Sequence, residues 1–474
     1  MRLFLLSGVM AVCTLATTGL ARAQTATPTP FPSVVVDRLV QNSLKFTKTP
    51  SMAVAVVENG KVVYARGFGL RDENLKLAAN ADTHYEIGSM TKQFTAAAIL
   101  QLRDAGKIVL DAPLATYLPS APHAKEITIR QLLNQTTGLY NYTQVSGFKA
   151  IAGKPGSYDQ MVALIAKKPL EFVPGTKWRY SNTNYILLGR VIEVVSGEPY
   201  TTYLRNHVFK PADMTQTYTM QDEPTISNMA RGYIVKKSKV TLSPPLQDIW
   251  AWSAGDIVST VGDFAKWMDA LSNGTVIPKS DYVEMTTSGR TTDGKQTDYG
   301  FGLQVTKFDR QLSITHSGGT FGYISDAAIF PNQHLSVVVF TNSNLGTPEI
   351  IISGIFNALN PQLASAALVP AAGENLAMTA RIKAFIIPLL AGTLDRSKIT
   401  PETSKNLTDA RLKAASAQLS SFGTPKKFIY KGKEVTPDGT VYVYLVTFAK
   451  INLKLTMKID KATNLFSSFY FGAT

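Results

Sequence analysis

Apolar and polar positions alternate with a strand's period of two near both ends of the first 340 residues. One block covers 51–69 and breaks at Glu58-Asn59-Gly60, where Asn-Gly chemistry favours a tight hairpin turn. Others lie at 301–305, 312–315, 327–330 and 336–340, while the spacing between them becomes helical, with apolar runs at 95–103 and 186–195. Terminal strands that pair across a long helical insertion predict an α+β fold, an antiparallel sheet flanked by helices with a helical lobe. Small residues with Pro370 and Gly373 mark 363–375 as a linker. Helical spacing returns at 381–390 and 409–419, then strand spacing at 427–430, 441–449, 451–459 and 465–471. Turn chemistry separates these strands at Pro437-Asp438-Gly439 and across 460–464, so a small C-terminal α+β module is expected over 376–474.

Arg2, a short apolar stretch and Ala21-Arg22-Ala23 form the pattern of a cleaved export peptide over 1–23. Ser7, Thr14, Thr17 and Thr18 make that stretch too polar for a good membrane span. The expected mature chain starts at Gln24, is secreted or periplasmic, and carries its large domain over 24–362. Cys13, the one cysteine, leaves with the peptide, which excludes disulfide and thiol chemistry in the mature chain. The net charge of +14 becomes +12 without Arg2 and Arg22. From Asn375 onward 15 Lys or Arg face 6 Asp or Glu, so the module is basic and the large domain nearly neutral. That asymmetry predicts attraction to an anionic cell-wall or membrane surface; no basic run is long enough to indicate nucleic acid.

The chemistry begins at Ser89-Met90-Thr91-Lys92, just ahead of the helical run at 95–103. A hydroxyl and an amine spaced i, i+3 share one face of a helix, and the hydroxyl sits at the N-terminus, where unpaired N–H groups can receive an oxyanion. Two further triplets follow in order, Tyr180-Ser181-Asn182 ahead of the helical run at 186–195 and His316-Ser317-Gly318, with Gly319 next, on a strand end. These three motifs, with Ser253-Ala254-Gly255 and Tyr299-Gly300-Phe301-Gly302, resemble the serine β-lactamase and penicillin-binding protein superfamily over about residues 33 to 360. Its class C-like branch, with D-alanyl-D-alanine carboxypeptidases, D-aminopeptidases and esterases, is the most similar. The C-terminal module resembles the cystatin-like or NTF2-like appendages of some bacterial hydrolases.

The resemblance implies an acyl-enzyme on Ser89, with Lys92 assisting acylation and Tyr180 carrying the proton to the leaving group. It also implies substrate binding by Asn182, His316, Ser317 and Gly318, and an oxyanion hole from the N–H groups of Ser89 and Gly319. An unperturbed lysine is neutral about once in 2,500 molecules at pH 7, so Lys92 as base costs roughly 4.6 kcal/mol unless its surroundings shift it. A Lys92–Tyr180 pair shares its protons, and the sequence leaves open which of them is the base. His316 stands where the lactamases carry lysine. A neutral imidazole attracts a carboxylate less than an ammonium does, which turns the expectation from β-lactams toward peptides and esters.

His84, His123, His207 and His334 have no metal-ligand spacing, so no metal or other cofactor is expected. Around Ser253 the first glycine of a G-x-S-x-G elbow is missing, and Gly67-Phe68-Gly69 lacks the rest of a dinucleotide loop. Trp250 and Trp252 are the expected cleft wall. The readings are a secreted serine hydrolase acting on a small peptide or β-lactam, an esterase of small acyl esters, and a non-catalytic penicillin-binding envelope sensor. Intact Ser89, Lys92, Tyr180 and Asn182 argue against the last, since binding alone has no chemical use for all four.

Overall fold

The computed structural model describes residues 31–473 except Asp309, residues 364–367, Ser421 and residues 449–451. The expected export peptide, with Cys13, lies outside them, as does part of the expected linker. Residues 32–474 form one compact unit.

Seven antiparallel strands make the main sheet, in the order Leu77–Ala78, Lys61–Asp72, Ser51–Glu58, Leu335–Thr341, Tyr323–Phe330, Gln311–Thr320, Gln304–Phe308. Ser51–Glu58 is buried along nearly its whole length, as a strand covered on both faces must be. It pairs with Leu335–Thr341, Met52 opposite Thr341, so the two ends of the large domain meet in mid-sheet, and the chain between the strands Leu77–Ala78 and Gln304–Phe308 is an insertion. The first hairpin turns at Asn59 and Gly60, both with positive φ, as the Asn-Gly pair predicts.

The insertion builds the helical lobe around the helix Thr91–Asp104, in which every residue from Thr91 to Leu100 is buried. A helix wrapped on all sides has no polar face to give to water, which suits its Ala96-Ala97-Ala98 run. It packs on the helix Asn182–Ser196, where a Cβ on Gly189 would stand 2.1 Å from Ser253 Oγ. A small sheet of Tyr85–Glu86, Ile257–Ser259 and Tyr218–Thr219 ties the approach to Ser89 to the segment that follows Gly255.

The strand expected at 301–305 starts later, at Gln304, and runs to Phe308. Residues 301–303 turn instead. Gly302 has φ +71°, and a Cβ there would stand 2.7 Å from the Lys92 carbonyl oxygen, so this turn braces the backbone of the helix that carries Lys92.

Beyond the linker the helix Leu376–Leu390 presents Ile382, Phe385, Ile386 and Leu389 to a four-stranded meander, Lys427–Thr436, Gly439–Thr447, Asn452–Asp460 and Phe466–Ala473. Its apolar cluster is separate from the one that fills the large domain. The first strand outruns its expected end at Tyr430 because a bulge between Tyr430 and Gly432 restores register before the Pro437-Asp438 turn. No helix among the described residues is long and apolar enough to cross a membrane.

Candidate active site

Ser89 sits in a single 3₁₀ turn, Gly88–Met90, that runs directly into the helix Thr91–Asp104. Lys92 follows one turn later on the same face and is fully buried. Its Nζ lies 3.0 Å from Ser89 Oγ, 2.8 Å from Asn182 Oδ1 and 2.7 Å from the Ala254 carbonyl oxygen. Three acceptors match the three donors of an ammonium, yet all three are uncharged. Loss of hydration therefore dominates and holds the amine well below the ordinary lysine range. The cost of roughly 4.6 kcal/mol for a neutral lysine falls accordingly.

Tyr180 places its ring 5.0 Å from Lys92 Nζ, with Tyr185 at 5.6 Å on another side. The Tyr180 hydroxyl is buried and makes no well-formed hydrogen bond. Burial pushes the phenol well up, and the neighbouring Ser89 hydroxyl offsets only part of that. Lys92 is driven toward its neutral form and so is Tyr180, which disfavours an ammonium–phenolate pair in the free protein. Asn182, first residue of its helix, gives Oδ1 to Lys92 while Nδ2 donates to Thr143 Oγ1 at 3.3 Å. Its amide faces the gap between Lys92 and the 141–143 segment, since Asn141 Oδ1 also accepts from the Asn182 backbone N–H.

His316 enters from the strand Gln311–Thr320 and is buried. Its Nδ1 lies 2.6 Å from the Ser317 carbonyl oxygen and so carries the proton, while Nε2, 3.1 Å from Tyr299 Oη, accepts. Burial first, and the charge of Lys92 second, push its pKa down to about 3. Both ring nitrogens are occupied and the ring is neutral, so His316 offers a substrate carboxylate no charge. Tyr299, which fixes it, also touches the exposed ring of Trp178 at 5.8 Å.

The strand meets the turn that carries Ser89 without side chains between them. A Cβ on Gly318 would stand 1.8 Å from the Ile87 carbonyl oxygen, and one on Gly88 2.6 Å from Gly319 N. Backbones that close bring Gly319 N against the turn that carries Ser89, an approach that only glycine allows. Ser325 Oγ, donating to the Ile87 carbonyl at 2.7 Å, pins the turn to the next strand.

Ser89, Lys92, Tyr180, Asn182, His316 and Gly319 thus come together. Ser317 and Gly318, expected to bind substrate, meet the site through their backbone. Alternation turns the Ser317 side chain to the other side of the strand from His316, leaving its carbonyl for the imidazole, and Gly318 is the close-approach residue. Trp250 and Trp252 are not a cleft wall: both are buried, Trp250 Nε1 donates to the Lys154 carbonyl at 2.7 Å, and Trp252 packs on Tyr158 and Tyr200. Sequence reasoning passed over Tyr299, Thr143 and the Ala254 carbonyl. The first and last lie in the two short motifs already quoted, Tyr299-Gly300-Phe301-Gly302 and Ser253-Ala254-Gly255. Ser253 itself is buried and donates to the Tyr185 carbonyl at 2.9 Å, so it is no second nucleophile. Among the described residues no group of three His, Cys, Asp or Glu could hold a metal ion.

The Beta-lactamase family profile matches residues 36–352. The chain belongs to the beta-lactamase family. Among its relatives, PbpX of Bacillus subtilis (strain 168) is 34% identical over 256 residues, which are 53% of this chain and 61% of PbpX. The chain spans about three fifths of the length of the curated relatives it matches. A D-stereospecific amidohydrolase from Streptomyces sp. is 28% identical with a TM-score of 0.58, over 69% of this chain and 97% of its own. The octameric penicillin-binding protein homologue from Pyrococcus abyssi superimposes with a TM-score of 0.63 at 21% identity, over 93% of this chain and 99% of its own. At that identity the likeness is one of fold, and its extent carries it into the C-terminal module. In this family setting the Ser89–Lys92 pair and the Gly319 backbone occupy the junction of sheet and helical lobe.

Proposed function

We propose that this protein is a serine hydrolase that cleaves amide or ester bonds of D-amino-acid derivatives through an acyl-enzyme on Ser89. The observation that carries this reading is the fully buried Lys92 amine 3.0 Å from Ser89 Oγ, with no charged partner in its shell. A neutral Lys92 takes the proton of Ser89 as Oγ attacks the acyl carbon. The N–H groups of Ser89 and Gly319 receive the oxyanion. Lys92 then returns its proton, through Tyr180, to the departing amine or alcohol. Water attacks the acyl-enzyme from the Tyr180 side, and its proton goes back along the same path.

The D-amino-acid preference is supported by the Streptomyces amidohydrolase, whose description specifies D-stereospecificity. The neutral His316 supports an uncharged amide or ester over a carboxypeptidase substrate or a β-lactam, both of which present a carboxylate. The pattern at 1–23 supports action outside the cytoplasm.

The test is a mass shift on Ser89 after fluorophosphonate treatment, with D- and L-phenylalanine amide, a D-Ala-D-Ala peptide and p-nitrophenyl acetate turned over side by side. Labelling at Ser89 and a higher kcat/KM for the D-amide than for the L-amide or the dipeptide is expected. An unlabelled Ser89 overturns the hydrolase, and equal rates on the two amides overturn the stereochemical part.

A further inference from the structure

Behind the sheet, on the side of the strand Gln311–Thr320 away from Lys92, the large domain and the C-terminal module enclose a cavity of about 840 Å³. That volume is in the range of small-molecule sites. One wall is the reverse of the strand that holds His316 and Gly319. Ser313, Thr315 and Ser317 line it, and Asp326 stands opposite Ser317 in the neighbouring strand. The other wall is a face of the module's sheet, with Val443 and Leu445.

Each wall brings two cations, Lys307 and Arg310 from the large domain, Lys431 and Lys454 from the module. Lys431 reaches the Val369 carbonyl at 3.4 Å, whereas no ion pair among the described residues engages Lys307, Arg310 or Lys454. Like charges facing across a gap repel, and an anion between them reverses the sign of that interaction. Two carboxyls share the lining, Asp326 and Glu349. Asp326 Oδ1 is buried without a hydrogen-bond partner. Burial first, and Glu349 second, raise the Asp326 pKa to about 8. Glu349, although its side chain keeps contact with solvent, shifts upward too as its carboxyl is desolvated. At neutral pH Asp326 therefore presents a protonated carboxyl, a donor toward an anionic oxygen, while no ion pair among the described residues engages Lys307, Arg310 or Lys454.

We propose that this cavity binds an amphiphilic organic anion, a phosphate monoester or a carboxylate. Its charged group sits among Lys307, Arg310 and Lys454, and its apolar body lies against Val443 and Leu445. The site is separate from Ser89 and does not depend on what Ser89 hydrolyses.

Isothermal titration of the full chain with decyl phosphate below its micelle concentration tests this, alongside inorganic phosphate and decyltrimethylammonium. One decyl phosphate per chain is expected, with inorganic phosphate at least about tenfold weaker because it lacks the apolar body. The ammonium should not bind measurably. Arg310→Glu with Lys454→Glu should weaken decyl phosphate by about tenfold or more while thermal unfolding and ester turnover stay unchanged. Arg310→Gln with Lys454→Gln, the milder pair, should weaken it by about threefold. Absence of saturable decyl phosphate binding, equal binding by both variant pairs and wild type, or binding of the ammonium as tight as the phosphate overturns the proposal. Inorganic phosphate binding as tightly as decyl phosphate overturns its amphiphilic part.

Discussion

The strand Gln311–Thr320 separates two ways of handling charge. On the side facing the helical lobe stand Lys92 and His316, both buried, both driven toward neutrality, and neither beside a carboxylate. On the reverse stand Lys307, Arg310 and Lys454, exposed and charged, around a cavity that is open to water at its rim. Basic residues therefore mean opposite things on the two sides of one strand. Where hydration is stripped away a lysine becomes a base that can take a proton from a hydroxyl; where hydration is kept it remains a point charge that can only attract.

Ser89→Ala breaks the catalytic side most completely, because it removes one atom from a site whose backbone geometry is set elsewhere. Ester hydrolysis should fall by about a thousandfold or more, with the melting temperature unchanged. Residual turnover above that level, measured on protein free of contaminating esterase, would place the nucleophile elsewhere. Lys92→Ala and Tyr180→Phe should each cost about a hundredfold or more, and the double variant little beyond the worse single, since the two carry one proton path. Additive losses in the double-mutant cycle would show two independent roles. Activity should also extend to lower pH than an ordinary lysine base allows. The neutral form of a depressed Lys92 persists as pH falls, and turnover declines only when the pH drops through its lowered pKa.

Much of this was legible from residue order. The i, i+3 spacing of Ser89 and Lys92 needs only a helix to place both groups on one face, and the apolar runs at 51–57 and 336–340 are those of strands covered on both faces, which is where they lie, paired in mid-sheet. What the sequence hid depends on burial or on backbone. The Ala254 carbonyl that holds Lys92 has no side chain to advertise it, and the tie from Tyr299 to His316 joins residues on opposite sides of a turn. His316 was legible as a weak attractor of carboxylates, but its descent to a pKa of about 3 comes from surroundings contributed by distant segments. Trp250 and Trp252 were misplaced because a Pro-containing loop suggests surface, whereas this one folds into the lobe and satisfies the Trp250 N–H on Lys154. The turn at 301–303 was read as strand because its run is otherwise apolar, and Gly302, with its positive φ, is what breaks it.

The suppressed charge of His316 should be visible in stability. Its folded pKa of about 3 lies below the ordinary histidine value of 6.5, so the unfolded chain binds the proton first as pH falls. Stability contributed by the neutral ring is fully present above pH 6.5 and is lost between 6.5 and about 3, at a slope of up to about 1.4 kcal/mol per pH unit. His316→Gln removes that term. Between pH 6.5 and 4.5 the variant should lose less stability than wild type, read from unfolding midpoints at each pH. His84, buried and shifted the same way, contributes to both proteins and cancels in the difference. Parallel curves would mean that the folded protein takes up a proton on His316 as readily as the unfolded chain does.

The smallest effect sharpens the other side of the comparison. The module carries 15 Lys or Arg against 6 Asp or Glu from Asn375 onward, and its cations away from the cavity, such as Lys433 and Lys461, are solvent-exposed. Screening at physiological salt confines each to about 8 Å, too short a reach to alter the proton equilibrium of a buried amine in another part of the molecule. Lys433→Glu with Lys461→Glu should therefore leave ester turnover within about twofold of wild type. The same pair should move elution from a sulfonated exchanger to lower salt, because attraction to an extended anionic surface sums over exposed charges whatever their individual partners. Turnover that falls in step with elution would show that the module's charge reaches the Lys92 side, and the division drawn by the strand would be electrostatically porous.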